Sequence, residues 1–201
     1  MIELRAVLEV QPWEGPVPWD VSDTGAWELL PLGGAMSDAE VGTAVLTFVS
    51  YCAGDPAGRS FEDVLAAVVS RDGWVVPGGL QAADTARGVA LTPGCCCGLE
   101  DWRDWFGAVD GVGEVWLGHD PSPAVQRVGD VVRLVLDAEQ GDSPAIEVPA
   151  DELHALLRAV ERDLEDFLRL ASTWADRHVP VYAAGLTAAL AQALALPAAG
   201  A

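Results

Sequence analysis

Three consecutive cysteines between two glycines, residues 94–98 (GCCCG), are the most reactive group of side chains in the sequence. Adjacent side chains diverge on an extended chain, whereas residues two apart share a face, so Cys95 and Cys97 can point the same way. With His119 of the stretch WLGHD they offer two thiolates and an imidazole, a donor set that suits zinc or Cu(I). Cys52 offers one more thiol. The spacing therefore predicts a metal site at Cys95, Cys97 and His119 as one interpretation of the loop.

The same loop has two other interpretations. A catalytic thiol needs a nearby base, and Cys97 precedes a predicted helix start while His119 and Asp120 would supply the base. Glu100 and Asp101 oppose this interpretation, because neighbouring negative charges raise the pKa of a thiol. In the third interpretation the thiols are small hydrophobes packed in the core. We adopt this one, with an inaccessible loop, no catalytic residue and no cofactor, and keep zinc or Cu(I) binding and a cysteine-dependent enzyme as alternatives.

The chain is strongly acidic, with 31 Asp and Glu against 11 basic residues, all of them Arg, and a formal net charge of −20. Such a field repels nucleic acid and anionic membranes, and it either favours a basic protein partner or simply keeps the protein soluble. Charged residues interrupt the first ten positions, unlike a secretory leader. No apolar run reaches the ~18 residues of a membrane span. We expect a cytoplasmic protein with reduced cysteines.

Two tryptophans lie in an acidic, proline-rich stretch, QPWEGPVPWDVSD. Trp13 and Trp19 would anchor a partner there, because buried aromatic side chains dominate the energetics of interfaces. Asp20, Asp23 and Glu28 would supply the charge that steers a basic protein towards them. In the alternative interpretation this loop folds back over the sheet and buries its tryptophans.

Periodicity and turn signals predict the elements that position these residues. Apolar residues that alternate with polar ones, bounded by Gly and Pro, indicate strands, and TAR and VGD are hairpin turns. The predicted strands are 2–10, 26–32, 74–76, 80–84, 88–92, 124–128, 130–137 and 145–148. Capping boxes at Ser37/Glu40 and Ser60/Asp63 and apolar residues at helical spacing indicate helices. The predicted helices are 38–53, 61–71, 99–109, 149–178 and 181–195.

The elements add up to an α+β fold, because hairpin-length connections make the strands mainly antiparallel. We predict one domain over residues 1–196, in which a mainly antiparallel sheet is packed by the amphipathic C-terminal helix and two or three further helices. Residues 197–201 are predicted to be a frayed tail.

The segments PGCCCG, LEDWRDW, WLGHDPSP and PAIEVPADEL together resemble an uncharacterised family of small acidic proteins from GC-rich bacteria. The resemblance covers residues 74–170 and implies no activity. The function that the sequence favours is a non-enzymatic cytoplasmic binding protein, for example an immunity-type neutraliser of a basic toxin or nuclease.

Overall fold

The computed structural model of the protein describes residues 1–13, 16–53, 60–70 and 73–197. Over these residues the fold is α+β with antiparallel strand pairs, as predicted. The chain divides into two compact units, one formed by residues 1–7 and 78–162 and the other by residues 8–77 and 163–201. The single domain over 1–196 stays a prediction. From residue 198 onwards the predicted tail lies outside the described residues.

The first unit contains two groups of strands. Residues 2–7 of this unit belong to β1 (Ile2–Glu9), which neighbours β3 (Gly78–Asp84). Strand β3 forms the predicted hairpin with β4 (Val89–Leu91). A separate three-stranded sheet has the order β5-β6-β7, with β5 at Ala124–Val128, β6 at Val131–Val135 and β7 at Ala145–Pro149. Both hairpin predictions are confirmed.

Buried and exposed side chains alternate along β6, so the three-stranded sheet has one buried face. Val132 pairs with Val148 and Leu134 pairs with Ile146, and all four side chains are buried. Arg133, the residue between them in β6, is exposed. This period of two places every second residue in the core of the first unit.

The helical part of the first unit departs slightly from the prediction. The predicted helix over 99–109 begins as a tight 3-10 turn, Leu99–Arg103, and continues as α3, Asp104–Asp110. Gly111, in the left-handed conformation, ends α3. The long helix α4 spans Ala150–His178, and its residues to Arg162 belong to this unit. Pro149 is the last residue of β7 rather than the first of the helix.

The second unit is mostly helical. The end of β1 lies beside the short strand β2, Leu29–Pro31. Helix α1, Asp38–Ala53, has the predicted bounds and the predicted Ser37/Glu40 box, and α2, Phe61–Val69, has the Ser60/Asp63 box. The remainder of α4 and α5, Ala183–Ala193, complete the unit.

One predicted strand of the second unit is wrong. Residues 74–76 form no strand, although Trp74 and Val76 are buried. Trp74 packs edge-to-face on Phe48 of α1, with ring centroids 5.7 Å apart. The segment is therefore apolar because it packs on a helix, and not because it pairs in a sheet.

Among the described residues, none of the helices combines the length and the apolar character that crossing a membrane requires.

Candidate functional site

The cysteine loop is paired with the segment that carries His119, and both belong to the first unit. The Cys95 N–H donates to the His119 carbonyl at 2.7 Å, and the His119 N–H donates to the Cys95 carbonyl at 3.0 Å. One residue earlier, the Gly94 N–H donates to the Leu117 carbonyl at 2.7 Å. This short antiparallel ladder fixes Cys95 directly opposite His119, although the two are far apart in the sequence.

Two glycines make the close approach of these backbones possible. Gly118 has φ +88°, and a Cβ added to it would lie 2.5 Å from the carbonyl carbon of Gly94. A Cβ added to Gly94 would lie 2.5 Å from the carbonyl oxygen of Pro121. Any larger residue would separate the two segments, so the glycines are a requirement of the pairing.

A tight turn reverses the chain inside the cysteine triplet. The Cys97 N–H donates to the Gly94 carbonyl at 3.3 Å, and Cys96 has φ 64°, a left-handed conformation that is uncommon for a residue with a side chain. The Trp116 indole N–H donates to the Cys96 carbonyl at 3.1 Å. The turn thus places the sulfur atoms of Cys95 and Cys96 only 3.4 Å apart.

The result is a group of three side chains, which we call the Cys95–Cys96–His119 cluster. Their sulfur and ring nitrogen atoms all lie within 4.8 Å of one another, and they are the one group of this kind in the described residues. Both thiols are exposed, and the His119 side chain is 45% exposed. The cluster is therefore accessible to ions and small molecules.

Hydrogen bonds orient the cluster and change its proton affinities. His119 Nδ1 lies 2.9 Å from Asp120 Oδ2, so the carboxylate fixes the imidazole ring. This bond, followed by the hydrogen bond with Cys96, raises the pKa of His119. Hydrogen bonding with Cys95, and then with His119, lowers the pKa of the Cys96 thiol. Both shifts favour a thiolate next to a protonated or metal-bound imidazole.

Cys97, which the sequence placed in the predicted set of ligands, lies outside this cluster. Its side chain is buried, with Sγ 3.8 Å from the Trp116 carbonyl, and its carbonyl accepts from Gly78. Burial, reinforced by Asp101 and Glu100, raises the pKa of this thiol to about 12. The structure therefore groups Cys96, rather than the buried Cys97, with Cys95 and His119, and the ligand set Cys95, Cys97 and His119 stays a prediction.

The expectation that the whole loop is inaccessible is wrong for Cys95 and Cys96 and correct for Cys97. Adjacent side chains diverge on an extended chain, whereas the left-handed backbone at Cys96 turns the thiols of Cys95 and Cys96 to the same side. Pro93-Gly94, a dipeptide typical of turns, was the signal that could have indicated this. Cys52 is buried in the second unit, with its sulfur 3.9 Å from the Val75 carbonyl.

The predicted tryptophan anchors are engaged within the second unit. The Trp19 ring packs edge-to-face on Trp174 at 4.6 Å and on Phe61 at 4.9 Å, and its indole N–H donates to the Gly42 carbonyl at 2.9 Å. Trp13 also packs on Phe61, at 5.8 Å. Both rings are half-buried, which agrees with the alternative that the loop folds back. The role of Trp13 and Trp19 as partner anchors stays a prediction.

A different tryptophan of this unit, close in sequence to the predicted acidic residues, is exposed. Trp27 is 63% exposed and has φ 69°. Two hydrogen bonds with Val10 fix the backbone at Trp27. The Trp27 N–H donates to the Val10 carbonyl, and the Val10 N–H donates to the carbonyl of the next residue, Glu28. Asp20, Asp23 and Glu28 are exposed, as their proposed role requires. The sequence analysis missed Trp27 because a short strand was predicted over it.

Comparison with protein-family models, with curated proteins and with solved structures finds no match to this chain.

Proposed function

We propose that the protein binds a thiophilic metal ion, zinc or Cu(I), at Cys95, Cys96 and His119. The observation that supports the proposal is the mutual distance of at most 4.8 Å between the two sulfur atoms and the imidazole nitrogen. Thiolate and imidazole are the ligands that both ions prefer. Exposed thiols with no function are also a liability, because they oxidise and cross-link.

The distances fit coordination after small side-chain movements. A tetrahedral zinc with bonds of about 2.3 Å to sulfur separates two thiolates by roughly 3.8 Å, compared with 3.4 Å between Cys95 Sγ and Cys96 Sγ. Both side chains are exposed, so rotation towards this separation meets little resistance. The Asp120 carboxylate, 2.9 Å from His119 Nδ1, is the outer partner that metal-binding histidines usually have, and it leaves Nε2 to face the ion.

The number of donors indicates an exchangeable ion. Structural zinc sites have four protein ligands, whereas three leave one position open to water or to a ligand from another protein. The exposed position of the cluster agrees with an ion that is delivered, transferred or presented to a partner. The fold does not depend on the ion, because the ladder of Cys95 and His119 and the turn at Cys96 are made by backbone hydrogen bonds.

Metal analysis of protein purified anaerobically under reducing conditions tests the proposal. We expect about one zinc or Cu(I) per chain, and its loss in the double variant Cys95→Ser, Cys96→Ser. Asp120→Asn should weaken binding by about tenfold in chelator competition, because it removes the carboxylate that orients His119. Cys97→Ala is the matched control and should keep the ion.

Two outcomes would contradict the metal site. One is less than about a tenth of an equivalent of any metal, both as purified and after titration with zinc or Cu(I) under reducing conditions. The other is loss of the metal in Cys97→Ala together with its retention in the double variant. That result would favour Cys97 as a ligand, as the sequence predicted.

We propose as a second candidate that the second unit binds a basic protein, as an immunity-type neutraliser would. What favours this is the exposed Trp27, which is followed by the exposed Glu28 and lies close in sequence to the exposed Asp23, since aromatic and acidic side chains both suit a partner that carries arginine or lysine. The anchor is then Trp27 instead of Trp13 and Trp19.

A further inference from the structure

The Cys95–Cys96–His119 cluster holds two accessible thiols closer together than metal binding requires. Their sulfur atoms are 3.4 Å apart, in adjacent residues whose backbones are both fixed. A disulfide needs about 2.05 Å between the sulfur atoms. Rotation of both side chains shortens this separation, and the remaining difference is taken up as strain in the ring that the two adjacent residues form.

We infer that the metal-free Cys95–Cys96 pair reduces hydroperoxides and is itself oxidised to an intramolecular disulfide between adjacent residues. This activity goes beyond the proposed metal site and does not need the ion, although it uses two of the same ligands. The geometry assigns the first step to Cys96, the residue at the left-handed position of the turn, whose sulfur lies 3.4 Å from Cys95 Sγ and within 4.8 Å of a His119 ring nitrogen.

The reaction balances in two steps. The Cys96 sulfur attacks the terminal oxygen of the hydroperoxide, an S–O bond forms, the O–O bond breaks, and the alkoxide or hydroxide leaves and takes up a proton. Cys96 is now a sulfenic acid and the peroxide has gained two electrons. The Cys95 sulfur then attacks the Cys96 sulfur, the S–S bond forms, and the sulfenic oxygen leaves as water. A dithiol reductant returns both thiols by exchange.

The position of the pair makes this disulfide reversible. Consecutive Cα atoms are about 3.8 Å apart, less than the 4.4–6.8 Å that most disulfides span, so the ring that closes between adjacent cysteines is strained. Strained and exposed disulfides are more easily reduced than buried structural ones. Oxidation also removes both thiolates from the metal site, so peroxide would release a bound ion.

The test uses the full chain, reduced and freed of metal with a chelator, and hydrogen peroxide as the substrate. We expect a mass loss of about 2 Da, restored by dithiothreitol. Thiol labelling followed by peptide mapping should show Cys95 and Cys96 lost together. Cys97→Ala is the control and should react at the same rate as the unmodified chain.

Single variants separate the roles of the two thiols. In Cys95→Ser the sulfenic acid at Cys96 has no neighbour to react with, and a dione probe should trap it. Cys96→Ser should give at least tenfold less trapped product. Equal trapping in both variants would overturn the assignment of the first step to Cys96.

Other outcomes overturn the inference as a whole. They are disulfide-linked dimers as the main product, a mass gain from sulfinic acid with no mass loss, or no loss of thiols at a peroxide concentration that oxidises free cysteine. The metal titration of the reduced chain is independent of these results. Binding of metal without disulfide formation would overturn this inference alone, and disulfide formation without metal would overturn the proposed function alone.

Discussion

At the scale of single residues, Cys96 determines what the cysteine loop can do. A left-handed backbone at φ 64° costs a residue with a side chain about 1 kcal/mol or more, and glycine would adopt it without that cost. Strain of this kind is retained where the surrounding structure imposes it, often at functional sites. Here it brings a second thiol to the outside of the turn.

Comparing glycine with alanine at two adjacent positions tests this conclusion. Because of the left-handed backbone, Cys96→Gly should be more stable than Cys96→Ala by about 1 kcal/mol in urea unfolding, while both variants lose metal binding. Cys95 does not have a positive φ, so Cys95→Ala should be more stable than Cys95→Gly, because glycine loses more entropy on folding. If the glycine variant were more stable than the alanine variant at both positions, or less stable at both, Cys96 would not have the left-handed backbone that distinguishes it from Cys95.

At the scale of elements, opposite helix ends meet in the second unit. Asp38 lies in the first turn of α1, and Arg177 and His178 lie in the last turn of α4. The Arg177 guanidinium donates to one oxygen of Asp38, and His178 Nε2 lies 3.2 Å from the other. Each charge also has the sign that its helix dipole favours. The His178 ring stacks on Trp174 at 4.4 Å, which holds it in place.

Removing the Asp38 charge should destabilise this junction modestly. We expect Asp38→Asn to lower the free energy of unfolding by about 0.5–1 kcal/mol at pH 7, because the side chain is 53% exposed and solvent screens the pair. Glu165→Gln, which neutralises an exposed residue of α4, is the control and should change little.

The pH dependence of the Asp38→Asn effect has a defined sign. The hydrogen bond with Arg177, and then that with His178, lowers the pKa of Asp38 below its ordinary value of 3.8. The stabilisation is therefore present above that value and disappears as the pH falls through the lowered pKa. Urea unfolding should show the two proteins converging in acid. A difference that stays constant into acid would contradict the role of the Asp38 charge.

At the scale of the whole molecule, the net charge of −20 acts on any partner. Residues 1–50 contribute eight acidic side chains against one arginine, and Asp20, Asp23 and Glu28 are exposed close in sequence to Trp27. Charge of this kind accelerates association, and salt screens it as the Debye length shortens from ~30 Å at 0.01 M to ~8 Å at 0.15 M.

A basic partner should therefore show separable effects of charge and of the aromatic anchor. Proteins retained from host lysate at low salt would be identified and purified, and their association rate should fall steeply with ionic strength. Trp27→Ala should raise the off-rate by about tenfold or more. Trp116→Ala, an exposed tryptophan of the first unit, is the control. If no basic protein is retained, or if Trp27→Ala binds as well as the unmodified chain, the second candidate function is wrong.

The sequence by itself determined the elements whose signals are local. The bounds of α1, both capping boxes, the β5-β6 hairpin and the course of α4 followed from residues within a few positions of one another. The sequence also placed Cys95 and His119 in one candidate site. Only the tertiary structure decided which second thiol joins them, because that depends on a left-handed turn at Cys96 held by Gly94 and Trp116. The tertiary structure also decided which tryptophan is exposed. Trp19 and Trp27 both lie near acidic residues in the sequence, but Trp19 is partly buried because it packs on Phe61 and Trp174, contacts that no local pattern encodes.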